Sequence, residues 1–191
     1  TTLFRSLSSF QRIDDLVERM GAITRQLKSY ARKGGEAFEP VDLRAALSSA
    51  LVMMEPQLRN RTIKLQRNIP RYPVMVYCDR IRLEQIVINL LRNAVDAIKD
   101  VRDPAIEITV SSGSHAFLSV RDNGPGVSDL ENLFEPFFTT KKPGEGTGLG
   151  LAISSGIAAD FGGRLTAHNA SDEGGRGAVF ELERSEEHTS E

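Results

Sequence analysis

The residues from Asp122 to Ile153 constrain the fold more than any other part of the sequence, because six glycines fall within this stretch. Glycine weakens helices and strands, so a segment this rich in it is not an ordinary buried element over most of its length. We therefore predict a long loop with an aromatic anchor formed by Phe134, Phe137 and Phe138. Loops of this length in compact domains are usually functional lids or disordered segments.

The glycine-rich stretch ends at a predicted helix that runs from about Leu149 to Phe161. The first N–H groups of a helix have no internal partners, and the helix dipole favours an anion beside them. Residues 146–150, GTGLG, contain neither the GxxxxGK[ST] pattern of a P-loop nor the GxGxxG spacing of a dinucleotide fold. Two interpretations stay open at this point, a plain glycine-rich turn and a phosphate site beneath a lid.

The length and composition of the chain indicate one sizeable domain with a smaller element attached. The chain has 191 residues, 40% of them hydrophobic, and a formal net charge of −2. This balance argues against nucleic-acid binding, which usually requires a clear basic excess. The single cysteine, Cys78, excludes an internal disulfide and suits a reducing compartment, and we expect it to be a small buried apolar residue.

The sequence predicts a cytoplasmic location. No segment approaches the ~20 apolar residues of a membrane span, and no signal peptide opens the chain. Membrane contact is therefore expected only through an upstream region of a longer parent protein, which could be an inner-membrane sensor.

Residues 4–33 predict one amphipathic helix. Its apolar positions follow alternating three- and four-residue steps, as in bundles and coiled coils: Phe10, Ile13, Val17, Met20, Ile23 and Leu27. A glycine pair at 34–35 ends the helix and marks 34–37 as a hinge. A single helix cannot bury such a stripe alone, so it packs either on the domain or on another chain. The hinge favours the second option, self-association through residues 4–33.

A second predicted helix, residues 80–100, has one apolar and one polar face. The polar face carries a stripe at steps of four, four and three residues: Gln85, Asn89, Asn93 and Asp96. Asparagine is a mediocre helix former, so two of them one turn apart are unusual as solvated surface. Neutral oxygen donors suit a hard cation such as Mg²⁺ held against phosphate oxygens. A merely solvated face is the simpler alternative.

The other elements alternate between helix and strand. The patterns predict an N-cap at Asp79, a helix at 43–58, extended stretches at 38–42, 62–69 and 74–77, and hairpins of 106–111 with 116–122 and of 164–169 with 178–183. This order predicts an α+β fold in which helices cover one face of a mostly antiparallel sheet.

Strand alternation places Asp122 on the same core-facing side as Leu118 and Val120. A buried carboxylate is unfavourable unless a donor binds it, and the exocyclic amino group of a purine would be a suitable donor. A turn-forming aspartate before Asn-Gly is the simpler alternative.

Four motifs, in this order, resemble those of the histidine kinase catalytic domain: NLLRNA (89–94) the N box, DNGPG (122–126) the G1 box, FEPFF (134–138) the F box and GTGLGL (146–151) the G2 box. That domain belongs to an ATP-binding superfamily that also contains gyrase, a class of chaperones and mismatch-repair ATPases. The resemblance implies the Bergerat ATP-binding fold, a two-layer α/β sandwich with a mixed, mostly antiparallel sheet, preceded here by a bundle-type helix.

The resemblance also implies a domain organisation. Residues 1–33 resemble the second helix of the dimerisation and phosphoacceptor domain, most closely that of dicarboxylate-sensing and nitrogen-regulatory sensor kinases. Residues 34–37 would be a hinge and 38–183 the ATP-binding catalytic domain. Residues 184–191, RSEEHTSE, look like a translated sequencing adapter, and we expect a disordered or artefactual tail.

The implied cofactors are ATP and Mg²⁺. Asp122 would accept a hydrogen bond from the adenine amino group, and Asn93 would bind the metal. Asn89, Asn93 and Lys141 would take part in catalysis, with Lys142 as an alternative lysine. The residues implied to bind the cofactor are Asn89, Arg92, Asn93, Asp96, Asp122, Gly124, Gly126, Phe138, Thr140, Lys141, Gly146, Thr147, Gly148, Leu149, Gly150 and Leu151.

The implied activity is transfer of the ATP γ-phosphate to a histidine, with a response regulator as partner. The family's acceptor histidine lies on an upstream helix, whereas His115, His168 and His188 fall in a hairpin, a strand and the tail. We therefore expect the acceptor to lie outside this chain. A second departure is Ala178, where the family often has a threonine whose hydroxyl supports the adenine carboxylate, so adenine affinity is expected to be weaker.

Two alternatives to a kinase remain. The chaperone and gyrase relatives hydrolyse ATP with a glutamate base one turn before the Mg²⁺ asparagine, but this chain has Asn89 there, and an amide cannot take a proton from water. The other alternative is a nucleotide-binding module without catalysis.

Overall fold

The computed structural model describes residue 21 and residues 38–59, 62–141, 146–170 and 176–185. Apart from Gly21, which is helical, the predicted helix at 4–33 lies outside the described residues, as does the end of the tail. Self-association through that helix therefore stays a prediction.

The chain divides into two compact units. The smaller unit comprises Thr1–Gly35 and Asn132–Ile153, and the larger comprises Glu36–Glu131 and Ser154–Glu191.

The described helices and strands alternate as predicted. In chain order they are β1 (Glu39–Asp42), α1 (Leu43–Arg59), β2 (Lys64–Asn68), β3 (Met75–Cys78), α2 (Arg80–Ala97), β4 (Ala105–Ser112), β5 (His115–Asp122), α3 (Gly150–Asp160), β6 (Gly163–Asn169) and β7 (Ala178–Ser185). Several predicted ends differ from the observed ones by one to three residues. Helix α2 ends at Ala97 and residues 98–100 form a turn, because Ile98 leaves the helical conformation (φ −98°, ψ 10°). Strand β7 continues through Ser185, since Arg184 and Ser185 pair with β5.

Five strands form one sheet in the order β2-β4-β5-β7-β6. The β2–β4 pair is parallel, and the other three pairs are antiparallel. The predicted mixed, mostly antiparallel sheet is thus confirmed. Strands β1 and β3 form a separate antiparallel pair that places Val41 opposite Val76.

The core of the larger unit lies between the sheet and helices α1 and α2. Helix α2 packs on α1 and on β5. Its apolar face is buried as the periodicity predicts: Leu83, Ile86, Val87, Leu90, Leu91 and Ala94. Val95 within the helix and Ile98 just after it are buried as well. Complete burial of a leucine or isoleucine side chain contributes roughly 1.5–3 kcal/mol, so this row is a major source of stability.

Local capping and burial near the start of α2 also agree with the sequence. Asp79 is the N-cap, and its side chain accepts a hydrogen bond from the Arg82 backbone N–H at 3.1 Å. Cys78 is fully buried, as expected for a small apolar residue. None of the helices in the described part of the chain has the length and apolar character that crossing a membrane requires.

Candidate nucleotide-binding site

The end of β5 places a carboxylate in the core of the larger unit. Ala116, Leu118 and Val120 are buried along one face of the strand, and alternation brings Asp122 onto the same face with only 2% of its surface exposed. Its Oδ1 atom accepts hydrogen bonds from the backbone N–H groups of Gly124 (2.8 Å) and Ala178 (3.4 Å). Among the described residues no donor is bound to Oδ2, so this oxygen is the one available to a ligand.

Burial controls the proton affinity of this carboxylate. It raises the pKa of the Asp122 carboxyl above its ordinary value of 3.8, because the charged form loses hydration. The two backbone hydrogen bonds act in the opposite direction but are the smaller effect. A polar ligand that donates to Oδ2 would therefore replace hydration that the fold has removed.

Two glycines allow the backbone to close around Asp122. A Cβ atom on Gly177 would lie 1.8 Å from the Asp122 carbonyl oxygen, and the φ of Gly177 is +102°. A Cβ atom on Gly124 would lie 2.8 Å from Asp122 Oδ1 and equally close to the Ala97 carbonyl oxygen. No other residue type can occupy position 177 without displacing the strand that carries the carboxylate.

Residues 123–127, which we call the G1 loop, are held by side-chain amides at both ends. Asn123 accepts from the Ala105 N–H (2.9 Å) and donates to the Asp103 carbonyl (2.8 Å). At the other end, Asn169 accepts from the Val127 N–H (2.7 Å) and donates to the Val127 carbonyl (2.8 Å). The loop therefore has a defined conformation although it contains neither helix nor strand.

The polar stripe predicted on α2 is half-buried at all four positions, so it is not a merely solvated face. The Asn89 side-chain amide donates to Ser154 Oγ at 3.0 Å, and Ser154 is completely buried. Asn93 lies one turn further along the helix, and Asp96 follows it on the same stripe. Arg92, also predicted to bind the cofactor, is exposed.

In the smaller unit, the F box and the G2 box meet through their backbones. The Phe137 N–H donates to the Gly148 carbonyl at 2.9 Å, and a Cβ on Gly148 would lie within 2.7 Å of the Phe137 and Phe138 carbonyl oxygens. The Phe137 side chain is 66% exposed, so the predicted aromatic anchor is wrong for this residue. Its φ of +67° is a left-handed conformation that a bulky residue rarely adopts.

The residues that lead into α3 form local turns in the same unit. The Lys141 N–H donates to Thr139 Oγ1 (3.2 Å), and the Leu149 N–H donates to Thr147 Oγ1 (3.4 Å). A Cβ on Gly146 would lie 3.1 Å from Lys141 Cδ, so the lysine side chain runs beside the first glycine of the G2 box.

The sequence of this domain matches a known protein family. The family described as histidine kinase-, DNA gyrase B- and HSP90-like ATPases matches residues 78–187, more than half of the chain. The chain belongs to this family. The described domain is therefore a nucleotide-binding domain of the histidine kinase-, gyrase- and HSP90-like ATPases, and the resemblance found in the sequence is confirmed.

Curated relatives agree with this assignment. The chain is 41% identical over 165 residues to the C4-dicarboxylate transport sensor protein DctB of Pseudomonas aeruginosa and 40% identical over 160 residues to DctB of Rhizobium meliloti. The alignments cover 84% and 82% of this chain but 27% and 25% of the relatives. The chain thus spans about a quarter of the length of these relatives.

A solved structure shows the same architecture. Histidine kinase ThkA in complex with the response regulator protein TrrA is 27% identical to this chain, with a TM-score of 0.74 over 92% of this chain and 49% of that chain.

The family's motif residues fall into both units. The N-box and G1-box residues lie in the larger unit, whereas Phe138, Thr140, Lys141 and residues 146–151 lie in the smaller one. Sequence reasoning missed Ser154 and Asn169. A serine within the apolar helical row of Ala158 and Phe161 was a signal for Ser154, but no local pattern marks Asn169.

Proposed function

We propose that this chain is the catalytic, ATP-binding part of a two-component sensor histidine kinase. It would transfer the γ-phosphoryl group of ATP to a histidine on a separate helix. The observation that carries the proposal is the buried Asp122 carboxylate, whose Oδ1 is bound by two backbone amides while Oδ2 remains for a ligand. Family membership and the DctB relatives support it.

Asp122 would recognise the base. An adenine amino group donates hydrogen bonds, and an ionised carboxylate only accepts them, so the pair is complementary. Guanine and hypoxanthine carry a carbonyl oxygen at the corresponding position, which would face the carboxylate oxygen without a proton between them. The buried setting makes this mismatch costly, since neither oxygen can turn to water.

Asn93 would hold Mg²⁺ together with phosphate oxygens. Its half-buried carboxamide offers the hard, neutral oxygen that this ion accepts. No group of three or more His, Cys, Asp or Glu side chains suited to a metal occurs among the described residues. This donor set suits an ion that arrives with the nucleotide and takes most ligands from phosphate and water. Bound Mg²⁺ would neutralise charge on the phosphates.

The remaining implied contacts concern the phosphates and the ribose. The G2-box residues 146–151 would present backbone amides at the start of α3, where the dipole favours an anion. Lys141 would add a positive charge to the γ-phosphate. We propose supporting contacts for the other residues of the set: Asn89, Arg92, Asp96, Gly124, Gly126, Phe138 and Thr140.

The chemical step would need little from the protein beyond positioning and charge neutralisation. A neutral imidazole nitrogen would form the new P–N bond while the bond to the ADP oxygen breaks, and ADP would leave with the electron pair. His115 and His168 lie in β5 and β6, each beside a glutamate of β7 (3.5 and 3.8 Å), and not on a separate helix. We therefore propose that another part of the protein supplies the acceptor.

An ATP-hydrolysing machine is the second candidate, because the family includes such ATPases. Hydrolysis of this kind needs a base for water near the metal asparagine. At the corresponding position Asn89 has an amide that cannot take a proton and that already donates to Ser154. This contact favours the kinase over the hydrolase.

We further propose two protein partners. A response regulator would receive the phosphoryl group, by analogy with the ThkA complex. A second copy of the chain would pair through residues 4–33, and light scattering that shows only monomer at high concentration would contradict this pairing.

The decisive experiment follows the γ-phosphate. The purified chain is incubated with Mg²⁺ and γ-labelled ATP, with and without a separately purified histidine-bearing phosphoacceptor domain of a sensor histidine kinase. Without the added domain, we expect ATP to bind and to stay intact. With it, we expect the label to pass to that domain. Asp122→Asn should weaken ATP binding by roughly 10- to 100-fold and reduce transfer at subsaturating ATP accordingly, whereas the exposed Asn68→Ala should preserve both signals. Accumulation of free phosphate over many turnovers would instead support the hydrolase.

A further inference from the structure

We propose that Asn169 is a positioning residue for the nucleotide base. It lies at the end of β6, outside the four family motifs, and acts through the G1 loop on Asp122. The inference rests on the proposed role of Asp122 in reading the adenine amino group.

The first argument is the geometry of the Asn169–Val127 pair. The Asn169 carboxamide accepts from the Val127 N–H at 2.7 Å and donates to the Val127 carbonyl at 2.8 Å. One planar amide thus satisfies both polar groups of a single residue, as a neighbouring strand would. Two simultaneous bonds restrict rotation of the Val127 peptide groups more than one bond does.

The second argument is the position of Asn169 relative to the carboxylate. Asn169 pairs with Ala178 across β6 and β7, and the Ala178 N–H donates to Asp122 Oδ1. The other donor to Oδ1 is the Gly124 N–H, in the loop that Asn169 holds at its far end. Asn169 is therefore linked to both backbone groups that orient the carboxylate.

The third argument is the close approach of Gly126. This residue has a φ of +84°, and a Cβ atom on it would lie 2.7 Å from Asn169 Oδ1. The second glycine of the G1 box thus leaves room for the asparagine side chain. If the Asn169 amide is removed, the loop can shift toward the vacated space and carry the Gly124 N–H away from Asp122.

The preference for ATP over ITP measures the positioning role of Asn169 directly. ATP and ITP share the ribose and the phosphates, but ITP has a carbonyl oxygen in place of the adenine amino group. A general loss of stability would weaken both ligands equally. A misplaced Asp122 would weaken ATP more than ITP and lower the ratio of their affinities.

The test measures the affinities for ATP and ITP by titration calorimetry on the full chain. Asn169→Asp keeps the shape and the acceptor of the side chain but places an oxygen against the Val127 carbonyl. Asn169→Ser shortens the side chain and removes the carboxamide that bonds both polar groups of Val127. The wild type should prefer ATP by roughly 10- to 100-fold. Both variants should reduce this preference by roughly 3- to 10-fold. The control Asn68→Ala, on the opposite edge strand, should leave it unchanged.

The possible failures are distinguishable. A wild-type protein that binds ATP no better than ITP would refute base reading by Asp122, and with it this inference. A discriminating wild type with unchanged preference in both Asn169 variants would refute the role of Asn169 alone. If neither variant folds, as judged by circular dichroism, Asn169 serves the fold and the inference is also refuted.

Discussion

The side-chain amide of Asn89 donates a hydrogen bond to Ser154 Oγ at 3.0 Å, and the serine is completely buried. This contact joins the N-box helix α2 to the part of α3 that belongs to the larger unit. It explains why a polar residue interrupts the apolar side of α3. It also means that Asn89 contributes to the structure whatever its role toward the nucleotide.

Replacement of Ser154 by alanine should therefore destabilise the domain. The half-buried amide of Asn89 loses an acceptor, which typically costs about 1–3 kcal/mol of the free energy of unfolding. Urea unfolding would measure this loss. Ser155→Ala is the matched control on the same helix, and we expect it to be neutral. Equal stabilities for the two variants would show that the contact contributes nothing.

Asp122→Asn should separate stability from binding. Because burial raises the pKa of Asp122, the stability contributed by this group is fully present below the ordinary pKa of 3.8 and is lost as pH rises through the folded-state value. At neutral pH the ionised carboxylate is therefore destabilising, and the neutral amide should raise the free energy of unfolding. This gain should shrink on acidification. Urea unfolding at several pH values measures both effects.

The same substitution should weaken ATP binding, since in the proposed site it would present a donor to the adenine amino group. We expect a loss of ~1–3 kcal/mol, or roughly 10- to 100-fold in affinity. A variant that is more stable and still binds ATP at full strength would contradict the role of Asp122 in base recognition.

Nucleotide affinity should depend on pH through Asp122. Protonation converts one carboxylate oxygen from an acceptor to a donor, so ADP affinity should fall as pH falls through the raised pKa of Asp122. The decline should begin at a higher pH than an ordinary aspartate would give. Calorimetric titration with ADP at a series of pH values measures it. The profile of Asp122→Asn should be flat across this window, and a parallel decline in that variant would assign the effect to another group.

Cys78 offers a probe of opening. Burial raises the pKa of its thiol to about 12, so at pH 8 on the order of one molecule in 10,000 is ionised, against about a quarter for an ordinary cysteine. Labelling with a thiol reagent should be very slow in the native protein and fast in urea. ATP at 100 times its dissociation constant should slow native labelling by about 100-fold if labelling requires unfolding. Rapid labelling of the native protein would show that the surroundings of Cys78 open without global unfolding.

Alanine substitutions at two glycines with positive φ distinguish the effect of backbone strain from that of a steric clash. In Gly162→Ala the new Cβ has open space around it. Only the left-handed conformation (φ +70°) then lowers the stability, by about 1–2 kcal/mol. In Gly177→Ala the Cβ also meets the Asp122 carbonyl at 1.8 Å, and we expect a total loss of roughly 3–5 kcal/mol. Thermal unfolding of both variants measures the difference. Equal losses would mean that the strand end adapts freely.

Most of the described fold could be predicted because its signals are local. The alternation that buries Leu118 and Val120 also carries Asp122 inward, and the apolar period of α2 is sufficient to identify its buried face. The motifs around Asn93 and Gly148 identify the family for the same reason, since residues close in sequence report the turn or helix that holds them. Such patterns depend only on the backbone geometry of one element.

The pairing of the polar groups, in contrast, depends on tertiary structure. Asn169 meets Val127 across 42 positions and Asn89 meets Ser154 across 65, so neither pair produces a periodic or local signal. Phe137 was predicted to be an anchor by its aromatic character, yet its backbone makes the contact with Gly148 and its ring is exposed. The amino-acid order was enough to establish which elements form and which family they belong to. The order of the strands determines which distant amides, carboxylates and glycines come within hydrogen-bonding distance, because that distance depends on the assembled sheet and not on any single element.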